Sequence, residues 1–191
     1  MSVTHSAPAP ELSPLQAPAV AAIVYANEAY PDALFGAVVR QCREQGLSLA
    51  GVLEHRVAAT PDRRCDVVLE DLGTGHRTAL FEDRGTGATG CRLDEAALAE
   101  ATARIEGNLD RAPDLLMLNK FGKAECGGGG LRDLIAGAID RGIPVIIGVP
   151  KCNLEAWLGF VGNFGVELSG PREVELWLEN SVSRGRAGQA W

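Results

Sequence analysis

The residues of this chain whose types and spacing invite chemistry fall in three short stretches. Asn119-Lys120-Phe121-Gly122-Lys123 carries two lysines three positions apart, and four glycines, Gly127 to Gly130, run into Leu131-Arg132. A third lysine, Lys151, stands beside Cys152 just after the apolar run Val145 to Val149. Lysines supply point charges for an anion, and glycine N–H groups at a helix start supply neutral donors to the same oxygens. Asn119, Lys120, Lys123, Gly128, Gly129, Gly130, Arg132 and Lys151 therefore form the candidate binding set, with a small anion or phosphoryl group as ligand. The pattern assigns no catalytic residue, no metal site and no cofactor. The lysines also have carboxylates to pair with, namely Glu28, Asp32 and Glu125. In that second reading the glycines are only a connector, and the surface is closed by salt bridges.

Other reactive side chains give less. The five cysteines (Cys42, Cys65, Cys91, Cys126, Cys152) are scattered without a Cys-x-x-Cys pair. The three histidines (His5, His55, His76) lack the spacing of metal ligands. Reduced thiols in a cytoplasmic protein are the expectation. Cys91, Cys126 and Cys152 read as small buried thiols before redox or soft-metal groups. His55 reads as a strand-end histidine before a base, and Trp157, Phe160 and Phe164 as the packed face of a helix before the lining of a pocket.

The elements that position these groups alternate. Ala19 to Tyr25, Leu49 to Leu53, Asp114 to Leu118 and Val145 to Val149 are short apolar runs, the pattern of strands buried on both faces. Between them, Leu34, Phe35, Val38, Val39 and Cys42 keep helical spacing behind Pro31 and stop at Gly46. A helix from Leu93-Asp94 to about Glu106 has Asp94 as its cap. Leu131, Leu134, Ile135, Ala138 and Ile139 mark another, ended by Gly142 and Pro144. Cys65 to Leu72 and Arg77 to Phe81 flank Gly73-Thr74-Gly75 and read as a hairpin. Its alternating pattern suits an antiparallel ribbon on the edge of a parallel sheet. Later, Leu154, Trp157 and Leu158 mark a helix, Val166 to Leu168 a short strand and Pro171 to Leu178 a last helix. The fold class is α/β, a mostly parallel sheet flanked by helices. The boundaries are a flexible tail over residues 1–18, one α/β domain over 19–180 and a C-terminal tail over 181–191.

At 191 residues and 46% hydrophobic content the chain can bury one core. A formal net charge of −7 argues against general nucleic-acid or anionic-membrane binding. Met1 to Pro18 has neither the basic start nor the apolar stretch of a signal peptide. No apolar run approaches the roughly 20 residues that span a bilayer.

Three segments, in order, resemble the thermophile-type nucleoside-triphosphatase branch of P-loop proteins. Asp66 to Arg77 is similar to that family's Asp-Leu-x-Thr-Gly-x-Arg element. Leu118 to Lys123 lies where the family has a strand ending in Asp-Glu-x-Gly-Lys, and Val145 to Val149 follows a helix and Gly-x-Pro. A closer resemblance is to a bacterial family of unknown function, the one numbered 2478. Gly90-Cys91-Arg92-Leu93-Asp94, Asn119 to Lys123 and Gly129-Gly130-Leu131-Arg132 look like its hallmarks, and the likeness covers about Ala19 to Leu178. Members of that family are often encoded beside molybdate-transport genes, so the resemblance implies a link to oxyanions.

The hydrolytic half of the P-loop pattern is missing. A phosphate loop needs glycines, a lysine and a Ser/Thr. The corresponding turn, Ala26 to Ala33, has none of them, and Pro31 removes a backbone donor. Glu28 and Asp32 stand there instead; two carboxylates roughly 4 Å apart repel by several kcal/mol at an effective dielectric of 20. Where an acidic strand end would hold Mg²⁺ and orient water, the chain has Asn119 and Lys120. The expectation is a non-hydrolytic small-anion or phosphoryl-ligand binding protein, an accessory in molybdate or oxyanion handling. The alternatives are a divergent nucleoside triphosphatase and a protein-binding pseudoenzyme.

Overall fold

The computed structural model describes residues 20–27, 29–56, 67–80 and 94–188. The elements run β1 (Val20–Tyr25), α1 (Asp32–Glu44), β2 (Leu49–Arg56), β3 (Val67–Asp71), β4 (Arg77–Ala79) and α2 (Glu95–Leu109). They continue β5 (Leu115–Asn119), α3 (Lys123–Cys126), α4 (Arg132–Asp140), β6 (Val145–Pro150), α5 (Leu154–Val161), β7 (Gly165–Leu168) and α6 (Pro171–Gly188). The N-terminal segment to Pro18, Glu28, the Gly90–Leu93 stretch, Cys65 and Phe81 lie outside the described residues.

The strands form one sheet in the order β4-β3-β2-β5-β6-β1-β7. From β2 to β7 every pairing is parallel. β3 and β4 add to β2 as an antiparallel hairpin, as the alternating pattern of that segment led us to expect. β1, β5 and β6 are almost wholly buried because helices cover both faces of the sheet. Side chains alternate accordingly: Val20 and Ala22 of β1 join one apolar cluster, Ala21 and Ile23 the other. At Gly51 φ is +108°, and a Cβ there would lie 1.8 Å from the Met117 carbonyl oxygen. Only glycine lets β2 approach β5 at this point.

On one face, Phe35, Val38, Val39 and Cys42 of α1 pack with Val174, Trp177, Leu178 and Val182 of α6. On the other lie α2, α4 and α5, through Ile105, Leu109, Leu134, Ile135, Trp157 and Val161. Burying each large aliphatic side chain contributes roughly 1.5–3 kcal/mol. The chain leaves β1 through α1 in one direction and returns through α2, α4 and α5 on the opposite face, as right-handed crossovers require. β1 and β6 are therefore neighbours whose next helices lie on opposite faces. The crevice between their carboxyl ends is the switch point at which such sheets bind ligands.

Three local expectations need adjustment. The α1 helix begins at Asp32, with Pro31 as the flanking residue and not the first helical one. A one-turn helix, α3, forms in a stretch to which the sequence reading gave no element. The last helix runs to Gly188, so the segment from Ser181 begins as helix: Val182 continues the stripe of Val174, Trp177 and Leu178 at helical spacing and is buried. The Asp94 cap is as expected; its Oδ1 accepts from the Ala97 N–H at 2.9 Å. Among the described residues no helix is long and apolar enough to cross a membrane.

Candidate functional site at the carboxyl edge of the sheet

The turn after β1 is closed upon itself. The Ala29 N–H donates to the Ala26 carbonyl at 2.9 Å, the Asp32 N–H to Tyr30 at 3.0 Å and the Leu34 N–H to Pro31 at 3.0 Å. In a phosphate loop such donors face the ligand. The Tyr30 ring stacks on Phe35 with centroids 5.3 Å apart and meets the edge of Tyr25 at 5.6 Å. Across the crevice, Asn27 Oδ1 accepts the Cys152 N–H at 3.1 Å, tying the end of β1 to the residues after β6.

The loop after β5 is built to hold its shape. Phe121 is fully buried and packs against Trp157, at 5.3 Å between centroids, and Phe160, at 5.9 Å. Its N–H donates to the Gly148 carbonyl at 2.8 Å, and its carbonyl accepts from Asn153 Nδ2 at 2.8 Å. Asn119, at the end of β5, is 7% exposed. Its Nδ2 donates to Glu54 Oε2 at 3.0 Å. A carboxylate only accepts, so Glu54 sets the amide's orientation. Asn119 Oδ1 is buried without a hydrogen-bond partner. The Asn119–Lys120 peptide is cis.

The glycine run does not do what its composition suggests. The N–H groups of Gly127, Gly128 and Gly129 donate to the carbonyls of Lys123, Glu125 and Ala124, so these three close the end of α3. The reading of Gly128 and Gly129 as free donors is thus corrected: an exposed helix end takes its own glycine donors first. Gly130, with φ at +62°, faces Glu125 instead; a Cβ there would lie 2.1 Å from Glu125 Oε1. Glu125 is 6% exposed, its Oε2 accepting the Gly122 N–H at 2.7 Å and its Oε1 the Leu131 N–H at 2.9 Å. The chain's own carboxylate thereby occupies the anion seat at the start of α4.

That arrangement also decides the salt-bridge reading in part. Glu125 is engaged by backbone donors, not by a lysine. Among the described residues no ion pair involves Asp32, Lys120, Lys123 or Lys151. All three lysines are exposed. Asn119 lies opposite Gly148 in the β5–β6 register, so Lys120 follows β5 level with Val149, and Lys151 follows the neighbouring strand β6 two residues further on. Lys123 is the first residue of α3. Arg132, the first of α4, holds its guanidinium 4.4 Å from the centre of the Phe160 ring.

The remaining motif lies at the other end of the sheet. Asp71 pairs with Val52 early in β2, which puts the 72–76 turn beyond the amino ends of the parallel strands. Asp71 is 3% exposed and accepts the N–H groups of Gly73 and Thr74 at 2.9 and 3.2 Å, which makes it a turn-forming residue. Glu70 gathers Arg43, His55 and Arg77 at 3.4, 2.8 and 3.1 Å, binding α1 to the hairpin. His55 is thus a structural partner of Glu70. Trp157 is buried as expected, whereas Phe164 is 63% exposed.

Glu54, Glu125 and Asn153 were not in the candidate set. Glu125 was legible from its position three residues after Gly122, the spacing of a residue that bonds back to a helix start. The other two are partners across strands, and nothing local marks them.

The sheet order, the two helical layers and the closed turn after β1 define an α/β protein of the P-loop hydrolase type with a degenerate phosphate loop. The chain belongs to the DUF2478 family, proteins of unknown function, whose model matches residues 20–177. It is also 35% identical over 166 residues to the molybdenum import ATP-binding protein ModC 2 of Bradyrhizobium diazoefficiens. That match takes in 86% of this chain but only 18% of the relative. No solved structure matches.

Proposed function

We propose that the protein binds a small oxyanion at the carboxyl edge of its sheet without hydrolysing a nucleotide, and that it serves molybdate handling as an accessory. The observation that carries this reading is three exposed lysines, Lys120, Lys123 and Lys151, without ion-pair partners among the described residues. They stand on one edge of a chain whose formal net charge is −7. Unpaired like charges on one edge favour a bound counter-ion, and a loop anchored by Phe121 presents two of them without further ordering. The closed turn after β1 weighs against a triphosphate. The relative named for molybdenum import supports molybdate among the oxyanions.

Isothermal titration with molybdate, tungstate, phosphate, ATP and GTP tests the proposal. Saturable molybdate or phosphate binding, lost in the Lys120→Ala/Lys123→Ala double variant, is expected. Flat titrations with every anion would sink it.

A further inference from the structure

Glu125 is unusual among the acidic residues at this edge because its carboxylate is buried and bonded to two backbone donors. Gly122 and Leu131 are the capping residues just before α3 and α4, and one side chain takes the N–H of both. The residues that follow them directly are Lys123 and Arg132. Gly130, in a left-handed conformation with no room for a Cβ, is shaped around Oε1 of the same carboxylate. Arg132 in turn is steadied by the Phe160 ring, which also packs against Phe121 of the preceding loop. One acidic side chain thus sets the spacing between two segments that each open on a cation.

We propose that Glu125 is the positioning residue of the oxyanion site: its carboxylate ties Gly122 to Leu131 and so sets where Lys123 and Arg132 present their charges. The inference rests on the oxyanion reading above and adds a residue that would not itself touch the ligand. At the start of α4 the Leu131 N–H is spent on Glu125, and on this reading a bound anion is held chiefly by the side-chain cations. Coulombic attraction of that kind is strongly weakened by salt.

The sign of one measurement separates this role from the others open to a buried acid. A carboxylate near cations repels an incoming anion, so if Glu125 acted only through its charge, Glu125→Gln would tighten binding. If it were only a structural staple, Glu125→Gln would lower the unfolding midpoint and leave affinity unchanged. A positioning role requires weaker binding although a negative charge has been removed. We would titrate wild type, Glu125→Gln, Glu125→Asp and Gly130→Ala with molybdate and with phosphate, well below each variant's unfolding midpoint. Gly130→Ala keeps the charge but forces the carboxylate out of its seat, and serves also if Glu125→Gln does not fold. The expected result is about tenfold weaker binding in Glu125→Gln and Gly130→Ala, the loss of one charge-assisted contact. Unchanged or tighter binding in the folded variants would overturn the proposal while leaving the oxyanion reading standing. No binding by the wild type would overturn both.

Discussion

The side-chain oxygen of Asn27 accepts the backbone N–H of Cys152 at 3.1 Å, and this one bond spans the crevice between β1 and β6. In a sheet of this topology that crevice is where a phosphate chain would enter. Here it is bridged by the protein itself, beside a turn whose Ala29, Asp32 and Leu34 N–H groups are spent on neighbouring carbonyls. Purified protein should release no phosphate from ATP or GTP over multiple turnovers with Mg²⁺. A Mg²⁺-dependent rate that disappears in Lys120→Ala protein would refute this.

The lysines should matter to anions and not to folding. Removing Lys120 or Lys123 should weaken molybdate or phosphate binding by about 1–3 kcal/mol, the scale of a charge-assisted hydrogen bond. Stability should move by no more than about 0.5 kcal/mol, because exposed lysines without partners contribute little. Titration calorimetry and urea unfolding on the same variants check both halves. A lowered unfolding midpoint with unchanged titrations would restore the salt-bridge reading.

The cluster around Glu70 makes stability depend on pH. Burial alone would raise this carboxyl, but hydrogen bonds from Arg77, His55 and Arg43 outweigh it and hold the group below the ordinary value of 4.5. A lowered folded-state value means stability that is present above the unfolded-state value and is lost as pH falls through the folded one. Wild type should therefore exceed Glu70→Gln in thermal midpoint near neutrality, with the gap closing below pH 4.5. A gap that stayed constant down to acid unfolding would contradict this account.

Among the described cysteines, reactivity should divide by burial. Cys42 is 1% exposed, and burial, with a smaller push from the Asp114 charge, raises its thiol to about 11. Cys126 and Cys152, which the sequence led us to expect as small buried thiols, are instead exposed free thiols, because they sit in the short helical turns that follow β5 and β6 and no described helix covers them. Iodoacetamide at mildly alkaline pH should label Cys126 and Cys152 in the folded protein and reach Cys42 only after denaturation, as read by peptide mass spectrometry. Early labelling of Cys42 would show that α1 and α6 part readily.

Gly51→Ala should be among the most damaging single substitutions in the sheet. Its Cβ would overlap the Met117 carbonyl, a backbone atom that cannot step aside, and φ is +108°. The cost should be on the order of 3 kcal/mol. Chemical denaturation measures it, and a loss below about 1 kcal/mol would mean that β2 and β5 can separate locally.

The amino-acid sequence by itself determined the kind of fold. Four apolar runs such as Leu115 to Leu118 are short and bounded by turn residues, the pattern of strands buried on both faces. The stripes at Phe35, Val38, Val39 and Cys42, and at Leu134, Ile135 and Ala138, keep the spacing of helix faces turned toward them. The missing phosphate loop was equally plain, because the chemistry it lacks depends on residue types: no glycine, lysine, serine or threonine stands between Ala26 and Ala33. The edge that gathers Asn119, Lys120 and Lys151 was legible too, since parallel strands bring their carboxyl ends together. What only the tertiary structure decided is who bonds to whom along that edge. Gly127 to Gly129 read as an anion cradle, yet their donors close the end of α3, and Glu125 reads as a lysine's partner, yet it is held by the N–H groups of Gly122 and Leu131. Composition specifies which donors and acceptors exist. Their pairing depends on where a buried carboxylate finds two unspent N–H groups within 3 Å, and that is a property of the folded chain.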